Sequence, residues 1–336
     1  RPNWYSSYKP NCNSFHEMDL PRPYDKDISS SDEKINFDSY RFSHGYYRDA
    51  WLMQNVALKD STVLKTIRYK HQFTNRILRM IQRDAVVMEK LGASKYIINM
   101  HGHCGTSLAV EPIAYEVEEY IVPNGYAKQE SLKDEEELKP QNDYSGLEKL
   151  EMALAMAESI AVMHGFEEGV IVHNDIQPCQ WLRTKLGQLV LGDFNRAEIL
   201  QWDDTKEEYC KYNLGTAFGN YRAPEEFDGK DLDEQIDIFS LGNNFYAIMT
   251  GLWPFYENED DAVVQKFVIG GKTAFIDERY RTYSYGDGKL VEIIEKMWAY
   301  APHERPNVFE VVEYLREHYE IAKMQEERGN LHASNY

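Results

Sequence analysis

The sequence predicts an α+β fold in which a small β-rich part is followed by a larger helical part. Two observations indicate this order. Residues 38–69 are rich in aromatic and β-branched residues in short runs, such as "STVLKTIRY", which is typical of strands. From Leu147 onward, apolar residues recur at the spacing of a buried amphipathic helix, and further helical patterns follow as far as residue 320.

The composition is that of a folded protein with an ample core. The chain has 336 residues, of which 43% are apolar and 28% are charged. Its formal net charge of −19 argues against nucleic acid as a partner. No apolar run is long enough to span a bilayer, and the four scattered cysteines do not indicate a disulfide framework. Because the sequence begins at Arg1, the compartment stays open: a cytoplasmic domain, or the soluble part of a membrane-anchored protein whose N-terminus is missing here.

The first domain combines the β-rich part with a helix and two further strands. Residues 1–35 show no sustained period and are expected to form an N-terminal extension. The run "TNRILRMIQRDAVVMEKLG" predicts a helix that ends at Gly92, as helices often do. Strands are predicted at 96–101 and 107–113, so this domain is expected to cover residues 36–113.

An acidic stretch separates the first domain from the helical part. Residues 115–143 are broken by Pro and Gly, which favours a solvated insertion, taken as 114–146, over an acidic docking element. The helical domain is then expected over 147–322, with a C-terminal tail at 323–336. Its later helices are predicted at 237–251, 289–300 and 307–320.

Five short motifs occur in order along the chain. They are HND at 173–175, DFN at 193–195, APE at 223–225, DIFSLG at 237–242 and APHERP at 301–306. Each is weak alone, but together they resemble the protein-kinase family over about residues 36–320. The resemblance implies a bilobal protein-kinase-like fold, with a small β-rich N-lobe and a larger helical C-lobe. It also implies ATP and Mg²⁺ (or Mn²⁺) as cofactors.

Two aspartates fall at the family's catalytic positions. The resemblance implies that Asp175 accepts the proton of the substrate hydroxyl and that Asp193, which follows a hairpin turned at Gly187, binds the metal. Two carboxylates brought together repel each other unless a cation lies near them, which suits magnesium. The alternative is that both are loop-capping aspartates with a structural role.

The phosphate-binding lysine is expected on a strand of the N-lobe. The stretch "SHGYYRDAW" resembles the family's glycine-rich loop, with Gly45 at the central glycine. The family places its lysine about twenty residues later, which favours Lys65 over Lys59. The carboxylate that orients Lys65 is then Asp84, where the family has glutamate. Glu89 is the runner-up, on another side of the helix.

The segment "SLAVEPI" resembles the strand that leads into the adenine-binding hinge. In that resemblance Val110 is the gatekeeper, while the carbonyl of Glu111 and the N–H of Ile113 face the base. The alternative is an ordinary buried strand that ends at a proline.

Two glutamines depart from the family's pattern. Gln180 stands where the second metal ligand is asparagine, and it keeps an amide carbonyl that can coordinate. Gln177 replaces a lysine that neutralises the transferred phosphate, and losing such a group typically costs about 10²–10³-fold in rate. We hypothesise that Arg48 compensates by bringing a guanidinium toward the phosphates.

Other positions bear on regulation and stability. Asn174 replaces the arginine that pairs with a phosphorylated activation segment, so phosphorylation there is expected to matter little. Candidate phosphorylation sites are Thr205, Tyr209 and Tyr212. Asp237 is expected to brace the catalytic loop, and Glu225 and Arg305 to form a buried ion pair.

Taken together, these residues favour an ATP- and Mg²⁺-dependent protein kinase with an unidentified protein substrate. Pro178 favours serine or threonine over tyrosine as the acceptor. A pseudokinase that binds nucleotide or acts as a scaffold is the first alternative, supported by Gln177 and Gln180. A kinase of a sugar or another small hydroxyl compound is the second. The oligomeric state stays open.

Overall fold

The computed structural model describes residue 12 and residues 37–55, 60–68, 70–123, 137–215, 218–258 and 260–333. These residues form two compact units. The first contains the described residues up to Tyr115 together with Leu182–Ala197, and the second contains those of Glu116–Trp181 and those from Glu198 onward. The first unit is rich in strands and the second is mainly helical, so the predicted α+β class is confirmed.

The first unit is built on a five-stranded antiparallel sheet. Its strands are β1 (Phe37–His44), β2 (Arg48–Asn55), β3 (Asp60–Ile67), β4 (Met100–Cys104) and β5 (Ser107–Val110), in the order β1-β2-β3-β5-β4. Lys65 on β3 lies opposite Ala50 on β2 and Leu108 on β5. Because residues two apart share one face of a strand, Arg48 and Lys65 extend from the same face of the sheet.

Helix α1 (Asn75–Leu91) follows the first three strands, as the sequence predicts. The Thr74 hydroxyl accepts the Ile77 N–H at 3.3 Å, and Gly92 follows the last helical residue. The buried face of α1 is apolar except for Asp84, which is fully buried. A buried carboxylate is costly unless donors or a cation hold it, so Asp84 needs partners.

A three-stranded sheet leads the chain to the DFN motif. It contains β6 (Ile113–Glu116), β8 (Trp181–Thr184) and β9 (Leu189–Leu191), in the order β6-β8-β9. The turn between β8 and β9 contains Gly187, whose φ of +79° favours glycine and whose N–H donates to the Thr184 carbonyl at 2.9 Å. The predicted hairpin at Gly187 is therefore confirmed, and Asp193 follows shortly after it.

The second unit is mainly helical. Its helices are α2 (Glu118–Ile121), α3 (Gly146–His164), α4 (Pro224–Phe227), α5 (Gln235–Thr250), α6 (Asp261–Ile269), α7 (Tyr280–Tyr283), α8 (Tyr285–Met297) and α9 (Val308–Ala333). The core lies around α5, which is buried from Ile236 to Thr250. Helix α8 packs on α5, and α9 packs on α3. Two strand pairs, β7 (Val170–Val172) with β10 (Glu198–Leu200) and β11 (Trp202–Asp203) with β12 (Glu208–Tyr209), flank the functional loops.

Two buried ion pairs join distant segments of this unit. Lys149 Nζ on α3 lies 2.8 Å from Asp287 Oδ1 on α8, and both side chains are almost completely buried. Arg305 binds Glu225 through two parallel hydrogen bonds of 2.6 and 2.9 Å. The predicted Glu225–Arg305 pair is therefore present.

The ends of the predicted acidic insertion are folded rather than solvated. Strand β6 and helix α2 occupy its start, and Ile121 is fully buried. At its other end, Asn142 Nδ2 donates to the carbonyls of Ile121 and Ile248 at 3.0 and 2.9 Å. Residues 124–136 lie outside the described residues. The apolar side chains at the start of the stretch fold it back onto the helical unit, which its acidic composition concealed.

The last helix is longer than the sequence predicts. Helix α9 continues to Ala333, past residue 322, where the tail was expected to begin. Its later turns are mostly charged and polar, so no apolar periodicity marked them. Among the described helices, none combines the length and apolarity that crossing a membrane requires.

The expectation that the cysteines form no disulfide framework needs one correction. Cys12 and Cys104 form a disulfide across 92 residues, whereas Cys179 and Cys210 form none. Cys12 is the one described residue of the predicted extension 1–35. A pairing over such a distance leaves no local spacing pattern, which explains why the sequence did not indicate it.

Candidate active site

The HND motif lies on a loop that the rest of its unit holds firmly. Strand β7 leads into it, and the buried carboxylate of Asp237 accepts the backbone N–H groups of His173 at 2.7 Å and Asn174 at 3.0 Å. His164 Nε2 lies 3.2 Å from the same carboxylate. The expected bracing by Asp237 is thus confirmed. Asn174 has a φ of +64°, a conformation that asparagine adopts more readily than most residues.

The Asp175 carboxylate is surrounded by side-chain donors. Oδ1 accepts Gln177 Nε2 at 3.0 Å and Arg222 Nη2 at 2.5 Å, and Oδ2 accepts Gln180 Nε2 at 3.2 Å. The Asp175 side chain is only 15% exposed. Both glutamines that depart from the family's pattern therefore contact Asp175, and its orientation is fixed by three groups.

In the first unit, the turn between β1 and β2 contains Gly45. The Gly45 N–H donates to the Arg48 carbonyl at 2.9 Å, and Arg68 Nη1 donates to the Gly45 carbonyl at 3.0 Å. A Cβ built on Gly45 would meet no atom of the described residues within 4 Å, its two chain neighbours aside. The space beside this glycine is open, so its backbone is accessible to a bound group.

The buried carboxylate of Asp84 is held by Arg48, not by Lys65. Asp84 Oδ2 accepts a hydrogen bond from Arg48 Nη2, and Oδ1 accepts the Phe194 N–H at 2.8 Å. Arg48 and Lys65 share one face of the sheet, and the longer arginine side chain reaches the short aspartate. The expectation that Asp84 orients Lys65 is therefore not met in this structure. Glu89, the runner-up, lies 3.8 Å from His103 Nε2.

A profile of the protein kinase domain matches residues 44–315, most of the chain. The chain belongs to the protein kinase family. The two units and the order of their motifs agree with this membership, which confirms the resemblance inferred from the sequence.

This kinase domain is similar to several curated kinases. It is 27% identical over 199 residues to serine/threonine-protein kinase 12 of Arabidopsis thaliana, a match that covers 59% of this chain and 40% of the relative. It is 32% identical over 143 residues to human serine/threonine-protein kinase Nek2, covering 43% and 29%. It is 27% identical over 259 residues to actin-regulating kinase PRK1 of Saccharomyces cerevisiae, covering 74% and 29%. The chain thus spans less than half the length of each of these relatives.

The first unit of the kinase has groups that fit a nucleotide phosphate and a divalent ion. Among the described residues, the buried Arg48 Nη1 has no hydrogen-bond partner and Lys65 has no carboxylate partner. Burial alone would lower the pKa of the Arg48 guanidinium, but the carboxylates of Asp84 and Asp193 outweigh it and raise that pKa. Asp193 follows β9 with a φ of +59°, and it accepts a hydrogen bond from the Asn195 amide. Cationic donors and a carboxylate are the groups that phosphate and Mg²⁺ prefer.

The predicted hinge residues lie where β5 ends. Val110 is buried, and it lies opposite Val63 on β3 and Met100 on β4. The Glu111 N–H donates to the Asn99 carbonyl at 2.9 Å, and its carboxylate accepts the Asn99 N–H at 2.8 Å. Ile113 begins β6. Adenine recognition by Val110, Glu111 and Ile113 stays a prediction.

Arg222 is the site residue that the sequence analysis missed. Besides Asp175, it donates to the carbonyls of Asn174 at 2.5 Å and Phe218 at 3.1 Å, and Glu226 Oε1 lies 3.4 Å away. The available signal was an arginine directly before the APE motif in a chain whose catalytic loop lacks its lysine. From that signal alone, the carboxylate that binds Arg222 could not be predicted.

Burial raises the pKa of Glu226 to about 7, although the Arg222 cation and the Ala223 N–H oppose the change. The folded chain therefore binds this proton more tightly than the unfolded chain does. The resulting stabilisation is complete below the ordinary pKa of 4.5 and is lost as the pH rises through about 7. We expect the free energy of unfolding of the wild type, relative to Glu226→Gln, to fall between pH 5 and pH 8. Parallel profiles in urea titrations of the two proteins would contradict this.

The activation segment, which is the stretch between the DFN and APE motifs, is tied to the catalytic loop without a phosphate. The Tyr212 hydroxyl donates to Asn174 Oδ1, and the Tyr212 backbone exchanges hydrogen bonds with Leu232 at 3.1 and 2.7 Å. Burial is the main cause that raises the pKa of Tyr212 above its ordinary range, so the hydroxyl keeps its proton. A neutral tyrosine–asparagine bond thus stands where the family pairs an arginine with a phosphate.

We accordingly expect phosphatase treatment to leave any transfer activity within about twofold of that of the untreated chain, because residue 174 is not a cation that could bind a phosphate.

Tyr212→Phe removes one hydrogen bond and should lower the free energy of unfolding by about 1 kcal/mol. Transfer rates and thermal unfolding of the treated protein and the variant check both statements. Activity that disappears with the phosphate would show that Thr205, Tyr209 or Tyr212 acts as a switch.

Proposed function

We propose that the chain is an ATP- and Mg²⁺-dependent protein kinase that transfers the γ-phosphate to a protein hydroxyl, on serine or threonine rather than tyrosine. The setting of Asp175 carries the proposal. Its carboxylate is fixed by three side-chain donors, on a loop that Asp237 braces through two backbone hydrogen bonds. A base held this way can accept the proton of an alcohol with little reorganisation.

The first unit contributes most of the groups that would hold the nucleotide, and Gln180 belongs to the second unit. When bound, ATP with its divalent ion supplies an electrophilic phosphorus and offsets the charge of the phosphates. In the proposal, Lys65 and Arg48 donate to phosphate oxygens, and Asp193 coordinates the ion. Gly45 allows the backbone to approach the phosphates, since no atom of the described residues, its chain neighbours aside, lies within 4 Å of a Cβ built there. Gln180 is the proposed second metal ligand, through its amide oxygen.

On the acceptor side, the substrate hydroxyl oxygen forms a bond to the γ-phosphorus while its proton passes to Asp175. The bond between the γ-phosphorus and the oxygen bridging it to the β-phosphorus breaks, and ADP leaves with that oxygen. Asp175 needs an oxygen directed at the hydroxyl, which its three donors help to orient. The reaction depends on how the chain positions the reactants and places charge, and it needs no covalent intermediate with the protein.

A pseudokinase that binds nucleotide or acts as a scaffold is the alternative, and one observation favours it. Asp84 is bound by Arg48, so no carboxylate of the described residues orients Lys65. A chain that only binds nucleotide could tolerate having Arg48 instead of Lys65 as the partner of Asp84. A working kinase must then position the phosphates of ATP by other means. The orphaned Nη1 of Arg48 offers such a means.

The test is phosphate transfer from γ-labelled ATP by the wild-type chain, under single-turnover conditions with Mg²⁺ or Mn²⁺. A generic protein mixture and the chain itself serve as acceptors, an EDTA sample is the control, and thermal shift reports nucleotide binding in the same tubes. Metal-dependent label on serine or threonine supports the proposal. Binding without label on any protein favours the pseudokinase, and label that appears only when a sugar mixture replaces the protein mixture favours a small-molecule kinase.

A further inference from the structure

The catalytic loop of this chain contains no lysine or arginine between His173 and Gln180. At Gln177, where the resemblance to the family implies a lysine, the neutral amide donates to Asp175 at 3.0 Å. Gln177 supplies a hydrogen bond there but no charge. A fixed positive charge beside the proton acceptor must therefore come from elsewhere in the fold.

Arg222 provides that charge from a segment 47 residues further along the chain. Its Nη2 lies 2.5 Å from Asp175 Oδ1, the same oxygen that accepts Gln177. The Arg222 side chain is only 6% exposed, so water screens this ion pair weakly. Gln177 and Arg222 together present one hydrogen bond and one cation to a single carboxylate oxygen.

The guanidinium of Arg222 is held in place through all three of its nitrogens. Nε donates to the Phe218 carbonyl at 3.1 Å, and Nη1 donates to the Asn174 carbonyl at 2.5 Å. The backbone before it is fixed as well, because Ser240 Oγ donates to the Tyr221 carbonyl at 2.7 Å. A planar guanidinium bound at this many points keeps one orientation, which a lysine in its place would not.

A second carboxylate, that of Glu226, also lies near Arg222. Glu226 Oε1 lies 3.4 Å from Nη1, a longer contact than the 2.5 Å to Asp175. Burial raises the pKa of Glu226 to about 7, so this carboxyl is only partly ionised near neutral pH. Although burial opposes it, Glu226 and Asp175 both raise the pKa of the Arg222 guanidinium, and Asp175 is the closer of the two carboxylates.

We infer that Arg222 is a positioning residue for Asp175 and supplies from the activation segment the positive charge that Gln177 lacks. The inference rests on the proposed transfer activity and deepens it. Arg222 fixes Oδ1, which leaves Oδ2, bound by Gln180 at a longer 3.2 Å, as the oxygen directed at a substrate hydroxyl. It also ties the geometry of the base to the backbone of the activation segment.

The inference is tested by moving the positive charge from residue 222 to residue 177. Single-turnover rates and the KM for ATP are compared in the wild type, Arg222→Gln, Gln177→Lys and the double variant Arg222→Gln/Gln177→Lys. Arg222→Gln should lower the rate about 10²-fold with little change in KM, the usual cost of losing a preorganised charge. The double variant should recover at least about tenfold, because lysine at 177 returns a cation to the same oxygen. A residue that only supports the fold would not be rescued from another segment.

Each outcome decides a separate question. A wild type that transfers, together with an Arg222→Gln variant that matches it or is not rescued by Gln177→Lys, overturns the role of Arg222 alone. A wild type without transfer overturns the proposed function and this inference with it. If Arg222→Gln shows no thermal unfolding transition, Arg222→Met, which also removes the charge, replaces it: a loss of rate that Gln177→Lys restores supports the inference, and an unchanged or unrestored rate overturns it.

Discussion

Asp175→Asn is expected to lower the rate of phosphate transfer by about 10²–10⁴-fold, the usual contribution of a general base. Asparagine has nearly the same size and can still occupy the space between Gln177, Gln180 and Arg222. It cannot take the proton of the substrate hydroxyl, and it leaves Arg222 without its closest anion. Single-turnover transfer from labelled ATP measures the loss.

A matched control separates lost chemistry from lost structure. Asp228→Asn makes the same substitution at an exposed pair, in which Lys230 Nζ lies 2.8 Å from the carboxylate. Its rate and thermal unfolding should match those of the wild type, since exposed pairs contribute little. Nucleotide binding by thermal shift should persist in both variants. Equal rates in Asp175→Asn and the wild type would remove Asp175 from the reaction.

The elements that the sequence predicted well are those specified by local patterns. Helix α1 has a capping residue, an amphipathic period and a terminal glycine within one short stretch, and its observed bounds agree with them. The turn at Gly187 needs a positive φ that glycine supplies at little cost. The bracing of the catalytic loop by Asp237 could be anticipated because the order of the motifs placed it.

The partners of the buried charges were harder to predict, because they depend on strand register and side-chain length. The sequence made Lys65 the partner of Asp84, but Arg48 lies on the same face of the neighbouring strand and binds the carboxylate instead. Nothing in the local pattern ranks these two cations. Which cation binds Asp84 is decided only when α1 packs near the sheet. Because the aspartate side chain is short, only the cation that reaches it can bind.

Contacts between distant segments that no motif of the family marks were not predicted from the sequence. Arg222 and Tyr212 both reach the HND loop from the activation segment, more than 35 residues away. Arg222 lies directly before the APE motif, in which only Glu225 was assigned a role, and that role was structural. Cys12 and Cys104 pair across 92 residues in the same way. Composition and period describe one segment at a time, whereas these contacts belong to the packed fold.

Removing one partner of the Glu225–Arg305 pair is expected to lower the free energy of unfolding by about 3–5 kcal/mol. The Arg305 side chain is completely buried, and it also donates to the carbonyls of Ala299 at 2.8 Å and Gln235 at 2.9 Å. Arg305→Ala leaves the Glu225 carboxylate buried without its cation and leaves these carbonyls without a donor. Urea unfolding of the variant measures the change.

An exposed ion pair of similar geometry is the control for the cost expected at the Glu225–Arg305 pair. Arg316 Nη2 lies 2.8 Å from Glu158 Oε1, but the Arg316 side chain is 58% exposed, so Arg316→Ala should cost about 1 kcal/mol or less. Arg305→Met/Glu225→Leu removes both buried charges and should be less destabilised than the sum of its single variants. Such non-additivity would show that the unpaired carboxylate, rather than the lost contact, dominates the cost. Arg305→Ala and Arg316→Ala variants of equal stability would contradict a buried structural role for the pair.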